Sequence, residues 1–471
     1  PYISVNYTFD GLTPAGLPED LCYKLNQYYE QKLRQDKTAH DKIEFEIIFN
    51  TYDFMTDTRL KELAEYGFDD VEISRLRNAL FEIAKQTLEH YDEICEEDLR
   101  SLGQLTELRH ELRKHSPLAE TNVMKLYSYI DELLDSIKDH GTPQFTRQAR
   151  CAFMARSFCR TLVEKGYFTK QEMDDFMLSI PTVASEFERD FDLYSHGKLS
   201  RDDFNHLYGH LRLGTYDIRS DSYRNIYFDV ASANLTGNNK VKQEAKSLDL
   251  ERLQVALDEA GIPVTPEKFI EFIKKATQNR EYFKFEFTKS LSLMLDVIVK
   301  LGEVMAIARE DMSYLEIQDL LSYHSRDSYI QTIETRRRFY HVNSYLVLPE
   351  VIFDVGDIDV IDIDEARPNF ITNKVVEAPI VNLDEDHDSD ITGKIVVLTK
   401  ADPGYDWIFA KDIAGFVTKY GGAASHMAIR CAEFGIPAAI GCGEKIYQRI
   451  HRMQIMCLDC ENGRITEKQS Q

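Results

Sequence analysis

A chain of 471 residues is long enough for two or three domains and a substantial buried core. Its 80 acidic and 56 basic side chains give a formal net charge of −24, which argues against nucleic acid or an anionic membrane as a partner, because like charges repel. No apolar run reaches the length of a membrane span and no signal peptide is visible, so a soluble cytoplasmic protein is expected.

Eight cysteines (Cys22, Cys95, Cys151, Cys159, Cys431, Cys442, Cys457, Cys460) are dispersed without a small-scaffold framework, so reduced thiols are expected. Cys457 and Cys460 sit three apart in a predicted strand, which turns them to opposite faces, and no metal is assigned to them.

In chain order, Pro1 reads as the cut end of something longer, and Tyr2-Ile3-Ser4-Val5-Asn6-Tyr7 as an alternating strand. A helix is expected over 16–35, and Ile43-Glu44-Phe45-Glu46-Ile47-Ile48-Phe49 is an apolar segment of undecided type. Helical patterns follow over about 72–98, 104–114, 120–138, 146–165 and 170–193, poor in glycine and rich in Leu, Glu, Lys and Arg. No repeat of fixed period suggests a solenoid. Nor is there a P-loop or dinucleotide fingerprint, so any ATP site is expected outside these residues.

The segment Tyr208-Gly209-His210-Leu211-Arg212-Leu213-Gly214-Thr215-Tyr216-Asp217-Ile218 crowds polar side chains onto a glycine-bounded turn. Such density is costly in a core unless the groups are paired or serve a ligand. It reads either as a ligand site or as a buried network locking two helices. Arg147, Arg150 and Arg156 recur along one helical pattern, Arg147 and Arg150 as neighbours on a face, and Glu186 follows in the next. Arg336, Arg337 and Arg338 point around their helix and read as solvated surface. Helical patterns continue over 245–259, 265–277, 284–308 and 314–345.

From Arg367-Pro368-Asn369-Phe370 the texture changes. Short apolar segments over 374–381 and 394–399 flank the acidic loop Asp384–Asp390. Then come a turn at Asp402-Pro403-Gly404, a short helix near 406–410, a strand over 413–418, a helix at His426, and strands over 437–440 and 453–459. The division expected is a mainly α-helical domain at 1–350, a linker at 351–374 and a small α/β domain at 375–471.

His426 is the chemical focus of that small domain. Gly421 and Gly422 turn the strand, Ser425 offers an N-cap oxygen, and His426 falls in the first turn of the next helix. The helix dipole there favours anions and a neutral imidazole, and the glycines leave room for a phosphoryl group on the ring. A neutral imidazole is a competent nucleophile, so the site suits a phosphohistidine. The alternative is a strand-to-helix turn that a histidine happens to cap. Arg430, four residues on, lies within about 40° of His426 around the helix. It either reaches the same phosphate or pairs with solvent or Glu433.

The blocks Asp402-Pro403-Gly404-Tyr405, Ala414-Gly415-Phe416-Val417-Thr418, Gly421-Gly422, Ser425-His426, Ala428-Ile429, Gly435-Ile436-Pro437-Ala438 and Gly441 resemble, in order, the swivelling phosphohistidine domain of the phosphoenolpyruvate-utilising enzymes. The resemblance implies a swivelling β/β/α-type fold, transient phosphorylation of His426, and Thr418 and Ser425 as holders of the phosphoryl group beside Gly421, Gly422 and Arg430. An arginine usual in the family six residues past the histidine is here Ala432.

The Gly-His-x-Arg-x-Gly segment resembles an element of the multidomain phosphotransferases. This implies His210 and Arg212 in an acceptor or phosphotransfer cavity, with Asp217 fixing one of them; Tyr216 and Asp217 beside them, and Arg150 and Glu186 from the pattern of charged groups suited to a phosphoryl donor, are the substrate-binding candidates. The resemblance further implies ATP and Mg²⁺ on an ATP-grasp domain absent from this chain, in cis or in trans, with ATP giving AMP and phosphate.

Carrier-last order resembles the rifampin phosphotransferases and the capsule-associated L-glutamine kinases, and disfavours a pyruvate-binding barrel. The implied function is a small-molecule kinase acting on an acceptor bound by the helical domain, with the L-glutamine amide, for capsule phosphoramidate synthesis, first and a rifampin-type antibiotic second. A non-catalytic binding or regulatory protein retaining the fold is the reading from another class.

Overall fold

A computed structural model of the chain describes residues 3–212, 217–225, 247–343, 349, 351–354, 356, 368–385, 389–400, 403–422 and 425–468. Tyr216, Asp402 and half of the expected linker lie outside these residues. The chain divides into two compact units. One comprises Pro1–Arg100, Gln144–Val183 and Asn238–Phe283, and the other Ser101–Pro143, Ala184–Gly237 and Lys284–Gln471.

The first unit is helical among its described residues. The expected opening strand is instead a helix, Val5–Leu12. The alternating Ile3 and Tyr7 are 84% and 80% exposed, while Phe9 is fully buried, so one anchor decides the segment and the period-two pattern carries no burial. Thr13 closes that helix by donating its hydroxyl and its N–H to Phe9 O. The apolar segment at 43–49 forms a single π turn, Ile43–Ile47, which buries Ile43 and Ile47.

Several helix boundaries moved for identifiable reasons. The patterns at 72–98 and 104–114 are one run, Asp70–Lys114, with non-helical angles at His90 rather than a break at Gly103. Helical glycine costs about 1 kcal/mol, less than the neighbouring Leu102 and Leu105 gain by burial. The pattern at 170–193 splits into Lys170–Leu178 and Val183–Ser195 around Pro181, because proline disfavours the helical conformation of the residue before it. A capping box of Thr169 and Glu172 starts the first of these. Pro266–Val304 is continuous where two helices were expected.

The second unit holds further helices and a seven-stranded sheet: β1 (Asn369–Ile371), β2 (Val375–Asn382), β3 (Ile395–Lys400), β4 (Gly415–Tyr420), β5 (Ala438–Ile440), β6 (Ile455–Asp459) and β7 (Arg464–Glu467). The order is β1-β5-β4-β3-β2-β6-β7. Strands β2 to β5 pair in parallel, and β1, β6 and β7 add antiparallel edges. Both faces of the sheet are covered, which is why the central strands read as unbroken apolar runs.

Val396, Leu398 and Phe416 face one core with Ile408, Met427 and Cys431. Ile395, Val397 and Val417 face the other with Tyr447 and Ile450. The helix His426–Glu433 contributes to the first core, and the helix Gly443–Ile450 to the second. Among the described residues no helix is long and apolar enough to cross a membrane.

Candidate active site

Strand β4 carries Thr418, whose fully buried side chain ties two segments together. Gly441 N–H donates to Thr418 Oγ1 (3.2 Å) and Cys442 N–H to Thr418 O (2.9 Å). Gly421 (φ +134°) then turns the chain. A Cβ on Gly441 (φ +74°) would sit 2.3 Å from Gly421 O, so only glycine lets the end of β5 pass this turn. Gly422 O accepts the Ser425 N–H (2.9 Å), and Ser425 Oγ accepts the Ala428 N–H (3.3 Å) as the expected N-cap. His426 is therefore the first residue of its helix, where backbone donors face outward along the dipole.

The ring of His426 is held from a second direction. Both carboxylate oxygens of Asp406 lie 2.7 Å from His426 Nε2, with the two side chains 10% and 12% exposed. Asp406 comes from the 3₁₀ turn Pro403–Ala410 that follows β3. A carboxylate there requires a proton on Nε2, which fixes the orientation of the imidazole.

Arg430 backs this pair. Its Nε is 3.5 Å from Asp406 Oδ1, an ion-pair rather than a hydrogen-bond contact. Nη1 donates to Glu433 Oε2 (2.8 Å), Nη2 donates to Ala184 O (3.3 Å), and Glu188 lies 3.7 Å away. The guanidinium stacks between Phe434 (4.4 Å) and Phe409 (5.5 Å) and is 1% exposed. Burial opposes its charge, but Asp406, Glu433 and Glu188 hold its pKa above the ordinary value. Arg430 thus pairs with Glu433, as one of the two expectations had it, and lies beside the partner of His426.

Tyr223 OH donates to Gly404 O (2.5 Å), and Trp407 packs against the aromatic cluster of Phe187, Phe191, Phe204, Tyr208 and Tyr223. These contacts seat the turn carrying Asp406 on the helical part of the same unit.

The Gly209–Arg212 segment pairs with Ser222–Arg224 through Tyr223 N–H to Leu211 O (2.7 Å) and Arg224 N–H to Gly209 O (3.2 Å). Arg212 is 2% exposed and its donors are engaged: Nε with Ser292 Oγ, Nη1 with Ser220 O, and Nη2 with Ser292 O and Asp296. It clamps the loop to the Pro266–Val304 helix. Asp217 binds Arg219, whose charge holds its carboxyl below the usual range. Glu186 is exposed in the first turn of Val183–Ser195.

His210 is different. Its ring is edge-on to Phe285 at 4.6 Å, and its Nε2 is sealed from solvent with no partner among the described residues. Arg150 belongs to the first unit, where it donates to Gly11 O and Leu12 O and lines, with Arg147, Thr13 and Cys151, a cavity of about 630 Å³.

Asp406, Glu188 and the aromatic pair around Arg430 were not identified from the sequence. Asp406 directly follows the Asp402-Pro403-Gly404-Tyr405 block, and a carboxylate that close to a recognised turn was the available signal.

Residues 391–463 match the family described as PEP-utilising enzyme, mobile domain. The chain is 28% identical over 222 residues to a rifampicin phosphotransferase of Bacillus subtilis, covering 43% of this chain and 24% of the relative. It is 26% identical over 212 residues to a rifampicin phosphotransferase of Bacillus cereus, covering 41% and 24%. These matches span about a quarter of the length of either relative. The stretch that is similar to the mobile domain of the PEP-utilising enzymes is the one that carries His426.

Proposed function

We propose that this chain is the carrier and acceptor part of an ATP-dependent small-molecule phosphotransferase, with a phosphoryl group borne on His426. The observation that carries the reading is the pairing of His426 Nε2 with Asp406 at the start of a helix. Phosphoryl transfer needs orientation, cationic or dipolar stabilisation and exclusion of water more than it needs covalent machinery. Here Asp406 orients the ring, the helix end supplies donors to the phosphoryl oxygens, and Ser425, Gly421 and Gly422 line the approach.

As the P–N bond to Nε2 forms and the P–O bond of the donor breaks, the Nε2 proton passes to Asp406, and the phosphoryl group takes the carboxylate's place beside the ring. Once that proton leaves to solvent, the phosphoryl charge repels the Asp406 carboxylate, and Arg430 at 3.5 Å remains to balance it. Discharge restores the pair.

ATP with Mg²⁺ serves as donor from an ATP-grasp domain, in cis or in trans, giving AMP and phosphate. The acceptor is the amide of L-glutamine. A rifampicin-type acceptor is the second reading, supported by the two relatives. The test incubates full-length protein with β-labelled and γ-labelled ATP in turn. Label on the protein from the β position alone, lost in His426→Ala, supports the reading. Label from γ alone overturns it in favour of an ordinary γ-phosphoryl kinase, and no label overturns it in favour of a non-catalytic relative.

A further inference from the structure

Independently of the phosphotransfer reading, we propose that the cavity walled by Arg150 in the first unit is a second ligand site, which takes a small monocarboxylate with an aliphatic or aromatic body.

Three segments build it. On the helix Thr142–Glu164, Arg147, Arg150, Cys151 and Met154 recur at helical spacing and so share one face, cationic at its start and apolar at its end. Ile83, Thr87 and Ile94 of the Asp70–Lys114 helix supply a second wall. The third is the end of the helix Val5–Leu12 with the turn from Thr13 to Gly16. The volume of about 630 Å³ falls within the ~300–1,000 Å³ typical of small-molecule sites. Every lining residue belongs to the first unit and none is a histidine, so the cavity holds a ligand without a phosphoryl carrier of its own.

Charge selects the ligand. Arg150 is half-buried, and burial holds its pKa below the ordinary guanidinium value. Its Nη1 donates to Gly11 O (3.1 Å) and its Nη2 to Leu12 O (3.0 Å). These carbonyls end the Val5–Leu12 helix, so this part of the contact is a structural cap. The cap uses two of five N–H donors, and among the described residues no carboxylate pairs with Arg150. Arg147, one turn earlier, is different: Asp98 Oδ1 lies 3.2 Å from it and Glu97 4.0 Å. Asp10, the one acid among the described lining residues, is exposed and accepts from Asn26 Nδ2 (2.5 Å).

A monoanion matches that balance. A carboxylate presents two oxygens to the remaining donors of the Arg150 fork. A dianionic phosphate needs a second free cation, whereas Arg147 is held by Asp98 and Asp10 repels further negative charge. Ile83, Ile94 and Met154 then cover the apolar body, and the unbranched Met154 adapts to aliphatic and aromatic shapes alike.

The test titrates full-length protein by calorimetry with hexanoate and with 3-phenylpropionate, each beside its carboxamide, and with inorganic phosphate. One equivalent of either acid should bind with a Kd on the order of 100 μM, the amides at least about tenfold more weakly, and phosphate more weakly than the acids. Bound acid should slow hydrogen exchange at the amides of residues 5–16, which form one wall. Arg150→Met should weaken the acids at least about tenfold and leave the amides within about twofold. Because that change also removes a helix cap, Thr87→Phe is the second variant: it fills the cavity with Arg150 in place and should abolish binding of acid and amide. Equal binding of acid and amide, no binding of either acid at about 10 mM, tighter binding of phosphate, or undiminished acid binding in Thr87→Phe overturns the proposal. None of these measurements uses ATP, so failure of His426 to take label overturns the phosphotransfer reading alone.

Discussion

Two histidines of the second unit sit in opposite electrostatic surroundings. His426 has a carboxylate on Nε2, itself backed by a buried arginine, whereas His210 Nε2 has no partner among the described residues and has cations around it. The first arrangement stabilises a ring that gains and loses positive character, and the second keeps a ring neutral. The difference teaches that residue type alone assigns neither role; the charges facing each ring do.

The largest effect that sharpens this contrast is removal of the carrier: His426→Ala should abolish protein-bound label from β-labelled ATP. Next comes its support. Asp406→Asn should slow charging about 100-fold and flatten its pH profile, and Asp406→Glu should recover part of the rate, as expected of a positioning residue. Asp406→Ala removes the partner of His426 while Arg430 keeps Glu433 and Glu188, and should cost about 1–3 kcal/mol in urea unfolding.

Gly441→Ala follows. It places a Cβ against Gly421 O at a left-handed φ, and should cost more than about 2 kcal/mol and slow charging by distorting the Gly421 turn.

The smallest effect belongs to His210. Its pKa is depressed in the folded state, so below the ordinary value near 6.5 the unfolded chain binds the extra proton. Stability should therefore fall as pH drops below about 6.5, by up to about 1.4 kcal/mol per pH unit from this group, and His210→Asn should remove that slope. A wild type with no such slope would break the contrast between the two rings.

Much of the small α/β part was legible because its signals are local. Buried strands announce themselves as apolar runs, the Gly421-Gly422 pair marks the turn, and Ser425 caps a helix within three residues of its acceptor bond. Strands β1 and β7 and the helix Gly443–Ile450 were missed. β1 and β7 have three and four residues, too few for a period to emerge, and the helix has only eight. Val5–Leu12 was misread because one buried Phe9 outweighs an exposed alternation.

In the site, helix geometry put Arg430 near His426, but Asp406 approaches from twenty residues away and Glu188 from still further. Around His210, Lys289 and Arg109 arrive from two other helices. Such contacts are tertiary, and no spacing rule in one sequence carries them.

The most direct measurement of the central claim is to quench full-length protein under alkali after brief exposure to β-labelled ATP, digest it, and locate the label. The account predicts an acid-labile phosphate on the peptide containing His426. An acid-stable phosphate, or label on any peptide without His426, would contradict it.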